Sequence, residues 1–174
     1  RGALGAQPQV KPKNLQIEVL ETSALQDVVR ATEVMAQCRA LGVQFALDDF
    51  GTGYSSLTYL KRLPVSELKI DQSFVRNMQD DPDDLSILLG VLDLARSFNL
   101  QVIAEGVETM AHGHMLLQLG CERAQGFGIA RPMPAGELLH WAAHWQPDAA
   151  LRGVGALPRA SLPLLLAQVE HRAW

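Results

Sequence analysis

Cysteine and aromatic residues are scarce in this chain of 174 residues. The two cysteines, Cys38 and Cys121, lie far apart and belong to no paired motif, and aromatic residues make up 6% of the sequence. A disulfide framework needs several closely spaced cysteines, so this pattern excludes a small disulfide-stabilised domain and favours a reducing compartment. The predicted location is the cytoplasm.

Long apolar runs and excess positive charge are also lacking. No stretch approaches the roughly 20 apolar residues of a membrane helix, and no basic segment followed by an apolar one opens the chain as a signal peptide would. The net charge is -4, which provides no broad field for duplex nucleic acid. The sequence therefore predicts no membrane segment and no nucleic-acid duplex as a partner.

Short apolar runs alternate with longer helical patterns, which is typical of βα units around a parallel sheet. Five strands are predicted, at residues 15–19, 43–47, 67–70, 101–104 and 123–125. Helices are predicted at residues 25–41, 56–62, 83–98, 109–119 and 136–145.

Polar side chains share one face of the predicted strands: Gln16, Glu18, Asp48, Lys69 and Glu105. Such a face is hard to satisfy in an open sheet covered by helices, whereas a barrel gathers these groups at its C-terminal rim. The predicted fold class is α/β, a (β/α)8 TIM-like barrel. Since a complete barrel takes about 250 residues, we expect an incomplete one, with about five C-terminal βα units.

Two segments follow from composition. Residues 1–146 are predicted to form the barrel part, and residues 147–174 a linker and a C-terminal helix. The linker is rich in Gly, Pro and Ala, and Ser161 with Pro163 predicts the start of the helix, which packs on the barrel or begins another module. Because the first residue is Arg1 rather than Met, the chain is expected to begin within a domain.

The strongest chemical signal is the segment Asp48-Asp49-Phe50-Gly51-Thr52-Gly53-Tyr54-Ser55-Ser56-Leu57. Two adjacent carboxylates at a strand end, followed by two glycines, place hard oxygen ligands beside a backbone that can bend sharply. Alone, the segment is equally well explained as a solvated acidic turn. A barrel rim, however, brings the ends of the other strands to it.

Four carboxylates would meet at that rim, and like charges within a few ångströms disfavour joint ionisation unless cations neutralise them. They are Glu18, Asp48, Asp49 and Glu105. All-oxygen ligands suit Mg²⁺ or Mn²⁺, and two such ions about 3.5–4 Å apart serve phosphodiester hydrolysis. The alternative is a structural salt-bridge network around Lys69.

Five segments resemble, in order and spacing, successive signatures of the EAL phosphodiesterase family, and the resemblance runs from about Leu15 to Trp145. They are the segments 15–23, 48–57, 68–71, 103–109 and 124–127. The resemblance implies an EAL-type barrel and metal-dependent hydrolysis of the bacterial second messenger cyclic di-GMP to linear pGpG.

The resemblance also implies individual roles. Metal ligands would be Glu18, Asp48, Asp49 and Glu105, with Asp48 shared between two ions. Lys69, Glu105 and Asp48 would be catalytic, and Gln125 and Asp71 would hold water or substrate. Residues that position the loop after Asp49 would be Glu21, Glu108, Gly51, Thr52, Gly53 and Ser55. For Glu21 and Glu108 the alternative is a carboxylate that favours a helix N-terminus.

The chain departs from the family pattern at its start. The Glu-Ala-Leu motif and an asparagine ligand would precede Arg1 and are absent, and Leu20 stands where Thr is common. His140 and His144 lie one helical turn apart, but a surface helix explains them better than a metal site. His112 and His114 are predicted to lie at the surface, and the segment 131–134 is either a rigid turn or part of the ligand rim.

A cyclic-guanylate-specific phosphodiesterase is the leading interpretation. The alternative is a catalytically inactive receptor for cyclic di-GMP or a protein-interaction module. The family resemblance further implies a homodimer, formed through the loop and helix after Asp49, and an upstream sensory or regulatory domain. A third possibility is that exposed strand edges pair with another chain.

Overall fold

The computed structural model describes residues 9–53 and 57–158. Within these ranges the strands are β1 (Gln16–Leu20), β2 (Gln44–Phe50), β3 (Glu67–Ile70) and β4 (Gln101–Ala104). The helices are α1 (Glu21–Gln26), α2 (Val28–Arg39), α3 (Leu57–Leu60), α4 (Gln72–Asn77), α5 (Pro82–Ser97), α6 (Met110–Gln118) and α7 (Ala135–His144). Short 3-10 turns lie at Pro12–Asn14 and Ala149–Leu151.

The four strands form one sheet in the order β1-β2-β3-β4. β1 pairs in parallel with β2, and β2 pairs in parallel with β3. Parallel neighbours need a crossover connection, and helices supply it between β1 and β2 and between β2 and β3. The predicted alternation of strands and helices is confirmed from β1 to β3.

Contacts along the chain divide it into two compact units: residues 1–70 with 93–102, and residues 71–92 with 103–174. In the first unit, β2 and β3 supply the fully buried Ala46, Leu47, Leu68 and Ile70. In the second, the deepest side chains are Val75, Met78, Leu85, Leu88, Leu116 and Val107. Each unit therefore has its own apolar core.

The helix predicted at residues 25–41 is wrong in one respect, because the chain forms two helices there. Asp27 leaves the helical conformation at φ -149° and ψ 79°, and its carboxylate accepts a hydrogen bond from the Arg30 N–H at 3.0 Å. An aspartate competes well for such backbone donors. It ends α1 and caps α2.

Two further boundaries differ from the predictions. β2 runs on to Phe50, so Asp48 and Asp49 lie inside its last residues rather than beyond it. The fifth strand predicted at residues 123–125 is only a single bridge, Ala104 to Ala124. The Val107 N–H still donates to the Gln125 carbonyl at 3.0 Å, but the chain bends between Ala104 and Val107, at Gly106 with a φ of +72°, so no regular strand forms.

The described part of the predicted linker is packed rather than loose. The turn at Ala149–Leu151 contacts α6, and the Leu157 N–H donates to the Gln118 carbonyl at 2.7 Å. The predicted C-terminal helix lies outside the described residues. Among the residues that are described, none of the helices has the length and apolar character required to cross a membrane.

His112 corrects another expectation. It was predicted at the surface, but it is only 8% exposed, and its Nδ1 accepts from the Glu108 N–H at 3.5 Å. The 3.6-residue period of α6 places it on the side of Met115 and Leu116. Burial lowers the pKa of His112 below its ordinary 6.5, against the opposing effect of the Glu108 and Asp80 carboxylates.

Truncation of Leu47 tests the core of the first unit. This side chain is fully buried in the central strand β2, whereas Leu139 on α7 is 81% exposed. We expect Leu47→Ala to lower the free energy of unfolding by about 2–5 kcal/mol, and Leu139→Ala by less than about 0.5 kcal/mol. Urea unfolding measures both, and equal losses would contradict the assignment of the core.

Acidification tests the burial of His112. With its pKa lowered in the folded state, the unfolded chain binds the proton more readily, so stability is present above about pH 6.5 and is lost as the pH falls below it. We expect this loss to be smaller in His112→Asn, which keeps a hydrogen-bond acceptor, and unchanged in the control His114→Asn. Urea midpoints across pH 5 to 8, buffered alike, measure it; indistinguishable curves would contradict the prediction.

Candidate active site

Asp48 and Asp49 are brought to one place by an irregularity in β2. Leu47 pairs with Leu68 and Phe50 with Ile70, so the register shifts between them. Asp49 takes a φ of +53°, which a non-glycine residue rarely adopts. In a regular strand two successive side chains point to opposite faces, whereas here carboxylate oxygens of Asp48 and Asp49 lie within 4.8 Å of each other.

Lys69 is buried beside these carboxylates. Lys69 is 4% exposed, and its Nζ lies 3.0 Å from Oε1 of Glu18 and 3.0 Å from Oδ1 of Asp48. The three side chains come from β3, β1 and β2, so three neighbouring strands contribute one charge group each. A buried ammonium is costly without such partners, and the structure supplies two.

These donors fit a hard divalent cation. Glu18, Asp48 and Asp49 offer carboxylate oxygens only, without imidazole or thiolate, which is the ligand chemistry of Mg²⁺ and Mn²⁺. Counted together, Glu18, Asp48 and Asp49 contribute three negative charges and Lys69 one positive charge. The predicted salt-bridge network around Lys69 is therefore present, and it leaves an excess of negative charge that suits a cation.

Glu21 anchors the loop that follows Asp49. Its side chain is fully buried at the start of α1, and Oε2 accepts from the Gly51 N–H at 3.0 Å while Oε1 accepts from the Tyr59 hydroxyl. Gly53 also lies against this carboxylate, because a Cβ added there would be 3.2 Å from Glu21 Cδ. One carboxylate thus connects the loop to α3.

The remaining predicted loop residues have local roles. The Thr52 hydroxyl donates to the Asp49 carbonyl at 2.9 Å, and Gly51 has a φ of +102°, a region that favours glycine. Ser55 lies outside the described residues. The Asp71 carboxylate accepts from the N–H of Ser73 and caps α4, a helix that the sequence reading missed. Its predicted contact with water or substrate stays a prediction.

Residues after β4 belong to the second unit. Glu105 follows β4 directly and is half-buried. Glu108 forms an ion pair with Arg76, with Oε1 at 2.8 Å from Nη2 and 3.0 Å from Nε. A Cβ on Gly106 would lie 2.5 Å from Gln72 Cβ, so only glycine fits between this loop and α4.

Gln125 is exposed and lines a shallow cavity of about 340 Å³ with Phe127, Arg131 and Trp141. Its backbone N–H donates to the Ala104 carbonyl at 2.9 Å, which fixes the strand-end position of the side chain. The Arg131 guanidinium lies over the Phe127 ring, 4.9 Å from its centroid. The segment 131–134 leads directly into α7, as the turn interpretation predicts.

His140 and His144 stack on exposed α7, with ring centroids 4.3 Å apart. Within the described ranges, no third His, Cys, Asp or Glu lies close enough to complete a metal group with them. The exposure of α7, which contains no buried residue, agrees with the favoured interpretation of a surface helix.

Sequence reasoning missed three partners: Tyr59 on Glu21, Arg76 on Glu108, and Glu67, which accepts from Gln16 Nε2 at 2.9 Å. The period-two pattern of β3 is the signal that could have found Glu67, because it places this residue on the same face as Lys69. For Tyr59 and Arg76, no local pattern signals a partner more than 30 residues away.

A family model described as the EAL domain matches residues 1–132. The chain belongs to the EAL domain family. Among its relatives, MucR of Pseudomonas aeruginosa, a bifunctional diguanylate cyclase/cyclic di-GMP phosphodiesterase, is 48% identical over 130 residues, which are 75% of this chain and 19% of MucR. The chain thus spans about a fifth of the length of that relative.

Solved structures agree with this assignment. The PaMucR phosphodiesterase in complex with c-di-GMP superposes with a TM-score of 0.76 at 47% identity, covering 79% of this chain and 56% of that one. The EAL domain of Mycobacterium smegmatis DcpA gives 0.76 at 39% identity, with coverage of 84% and 66%. A manganese/cy-diGMP complex of Klebsiella pneumoniae BlrP1 gives 0.70 at 32%, with coverage of 75% and 33%. The predicted EAL barrel fold is confirmed.

Replacement of Glu21 tests the anchor of the loop. Two donors, the Gly51 N–H and the Tyr59 hydroxyl, approach its two oxygens. In Glu21→Gln the amide oxygen can still accept from the Gly51 N–H, but the Tyr59 hydroxyl must turn to accept from the NH₂, and both hydrogen bonds lose the carboxylate charge, at a cost of about 1–3 kcal/mol. Urea unfolding and the rate of proteolysis in the loop measure it.

Exposed Glu33 on α2 provides the matched control, since Glu33→Gln removes the same charge from the surface. If both variants unfold at the same urea concentration and are cleaved at the same rate, the anchoring role is wrong.

Proposed function

We propose that this chain is part of a phosphodiesterase that hydrolyses cyclic di-GMP to linear pGpG. The observation that carries the proposal is the group formed by Glu18, Asp48, Asp49 and Lys69 at the ends of three parallel strands. Support also comes from the EAL family and from the c-di-GMP complex of PaMucR, which is 47% identical to this chain.

Glu18, Asp48 and Asp49 would hold Mg²⁺ or Mn²⁺, and we propose two ions. Manganese in the BlrP1 complex supports a divalent ion of this kind. Glu105 is proposed as a further ligand or a water-orienting group, because it lies in the segment 103–109, which resembles a signature of the EAL family. When bound, such ions polarise a phosphoryl oxygen and lower the pKa of water.

The chemistry required of the chain is the addition of water to one bridging phosphate. A water oxygen bonds to phosphorus, the bond from phosphorus to the 3′ oxygen breaks, and a proton from the water ends on that oxygen. Lys69 would hold the attacking water and the carboxylates in place, since its Nζ already contacts Glu18 and Asp48. Gln125 and Asp71 would hold water or substrate at the rim.

The loop after Asp49 is proposed to respond to assembly. Glu21 at the start of α1 accepts from the Gly51 N–H and lies against Gly53, and α3 follows the loop directly. The Thr52 hydroxyl holds the loop to the Asp49 carbonyl. A homodimer formed through the loop and α3 would therefore act on Asp49 through the backbone. Glu108 would do the same for the Glu105 segment through Arg76.

Several broader expectations remain proposals. They are an upstream sensory or regulatory domain, a cytoplasmic location, and domain boundaries at residues 1–146 and 147–174.

Hydrolysis of cyclic di-GMP with Mn²⁺ or Mg²⁺ tests the function, for this chain and for a longer form extended at its N-terminus. We expect Asp48→Asn to lower the rate by at least about 100-fold, more than the typical loss on removing an outer-shell partner. Asp83→Asn, a change of the same kind at an exposed helix start, should leave the rate unchanged.

Release of pGpG, followed by chromatography, distinguishes the proposal from its alternative. Tight binding of cyclic di-GMP with bound metal but without turnover in the longer form would favour a receptor. Equal rates for Asp48→Asn and the parent would contradict the assigned site.

A further inference from the structure

A second polar contact, between exposed Gln16 and buried Glu67, lies two residues before Glu18 and Lys69 on the same strands. Gln16 Nε2 donates to Glu67 Oε1 at 2.9 Å, and Glu67 is only 4% exposed. Gln16 lies two residues before Glu18 on β1, and Glu67 lies two residues before Lys69 on β3. With a side-chain period of two, each pair shares one face of its strand.

Both contacts cross over the central strand. β1 and β3 each pair with β2 and not with each other, so they lie roughly 10 Å apart, twice the strand spacing. Gln16 to Glu67 and Glu18 to Lys69 therefore bridge the same gap in the same diagonal direction, from a residue on β1 to one further along β3. They are two parallel side-chain contacts that cross β2.

Ala46 is what makes room for them. It pairs with Glu18 on one side and with Glu67 on the other, and it is fully buried. Residues paired in neighbouring parallel strands point to the same face, so its methyl group lies beneath the crossing side chains. A larger side chain at this position would fill the space that the side chains of these two contacts occupy.

We infer that Gln16 and Glu67 are positioning residues for the candidate metal centre: their hydrogen bond fixes β1 against β3 and so sets the distance between Glu18 and Lys69. Glu18 needs such support because its side chain is 50% exposed, whereas Lys69 is held by burial. The inference rests on the proposed function, but its first measurement is metal binding rather than turnover.

Exchanging the amide of Gln16 and the carboxylate of Glu67 is the direct test. The variants are made in the longest native form of the protein. Gln16→Glu places two carboxylates against each other and removes the donor, so we expect the Kd for Mn²⁺, followed by the paramagnetic resonance of the free ion, to rise about tenfold. The swap Gln16→Glu with Glu67→Gln restores a donor and an acceptor in reversed order and should return the Kd to within about twofold of the parent.

Three further variants separate positioning from general damage. Glu67→Gln alone keeps a donor and an acceptor and should change the Kd by less than about threefold. Gln16→Leu removes the bond without adding charge and should raise the Kd even if Gln16→Glu fails to fold. Gln37→Glu, which adds a charge on an exposed turn of α2, should have no effect.

Two outcomes would overturn the inference: an unchanged Kd in Gln16→Leu, or a swap variant that folds but binds Mn²⁺ no better than Gln16→Glu.

A parent that hydrolyses cyclic di-GMP while all variants bind Mn²⁺ equally contradicts the inference alone. A parent that binds Mn²⁺ without hydrolysis contradicts the proposed function, and the affinities still decide the role of the pair. In active protein we expect kcat to fall at saturating metal with little change in KM.

Discussion

The ammonium group of Lys69, held between Glu18 and Asp48, is the interaction on which the site depends. Its two contacts of 3.0 Å join β3 to both of the strands before it, and the lysine is almost fully buried. A charge in this position requires partners, so the strands must end at matching heights for the pair of contacts to form. The parallel register from β1 to β3 supplies that match.

In both units, acidic side chains hold loops and the first turns of helices in place. Glu21 holds Gly51 and receives the Tyr59 hydroxyl, Asp27 and Asp71 cap the helices that follow them, and Glu108 pairs with Arg76. Most of the stability comes from the buried apolar side chains of the cores. The polar contacts determine where particular loops lie.

Much of this arrangement could be predicted from the sequence. Periodicity located β3, β4 and the helices α2, α3, α5, α6 and α7. The order of the five signature segments indicated the family and the strand-end carboxylates. The missed helix boundaries arise because aspartate side chains compete with the backbone for hydrogen bonds, which an apolar pattern does not report. Asp27 ends α1 and caps α2, and Asp71 caps α4. The predicted fifth strand is reduced to a single bridge because its partner segment bends at Gly106, a bend that the pattern of residues 123–125 does not report. The partners Tyr59 and Arg76 depend on tertiary packing, and no spacing rule reports it.

The left-handed conformation of Asp49 narrows the chemistry available at that position. Aspartate and asparagine tolerate this conformation better than other side chains do, whereas the proposed ligand role needs a full negative charge. Asparagine would satisfy the backbone without the charge, and glutamate would carry the charge on a residue less suited to that φ. Aspartate is the residue that meets both demands, so the bend in β2 and the electrostatics of the site select the same amino acid independently.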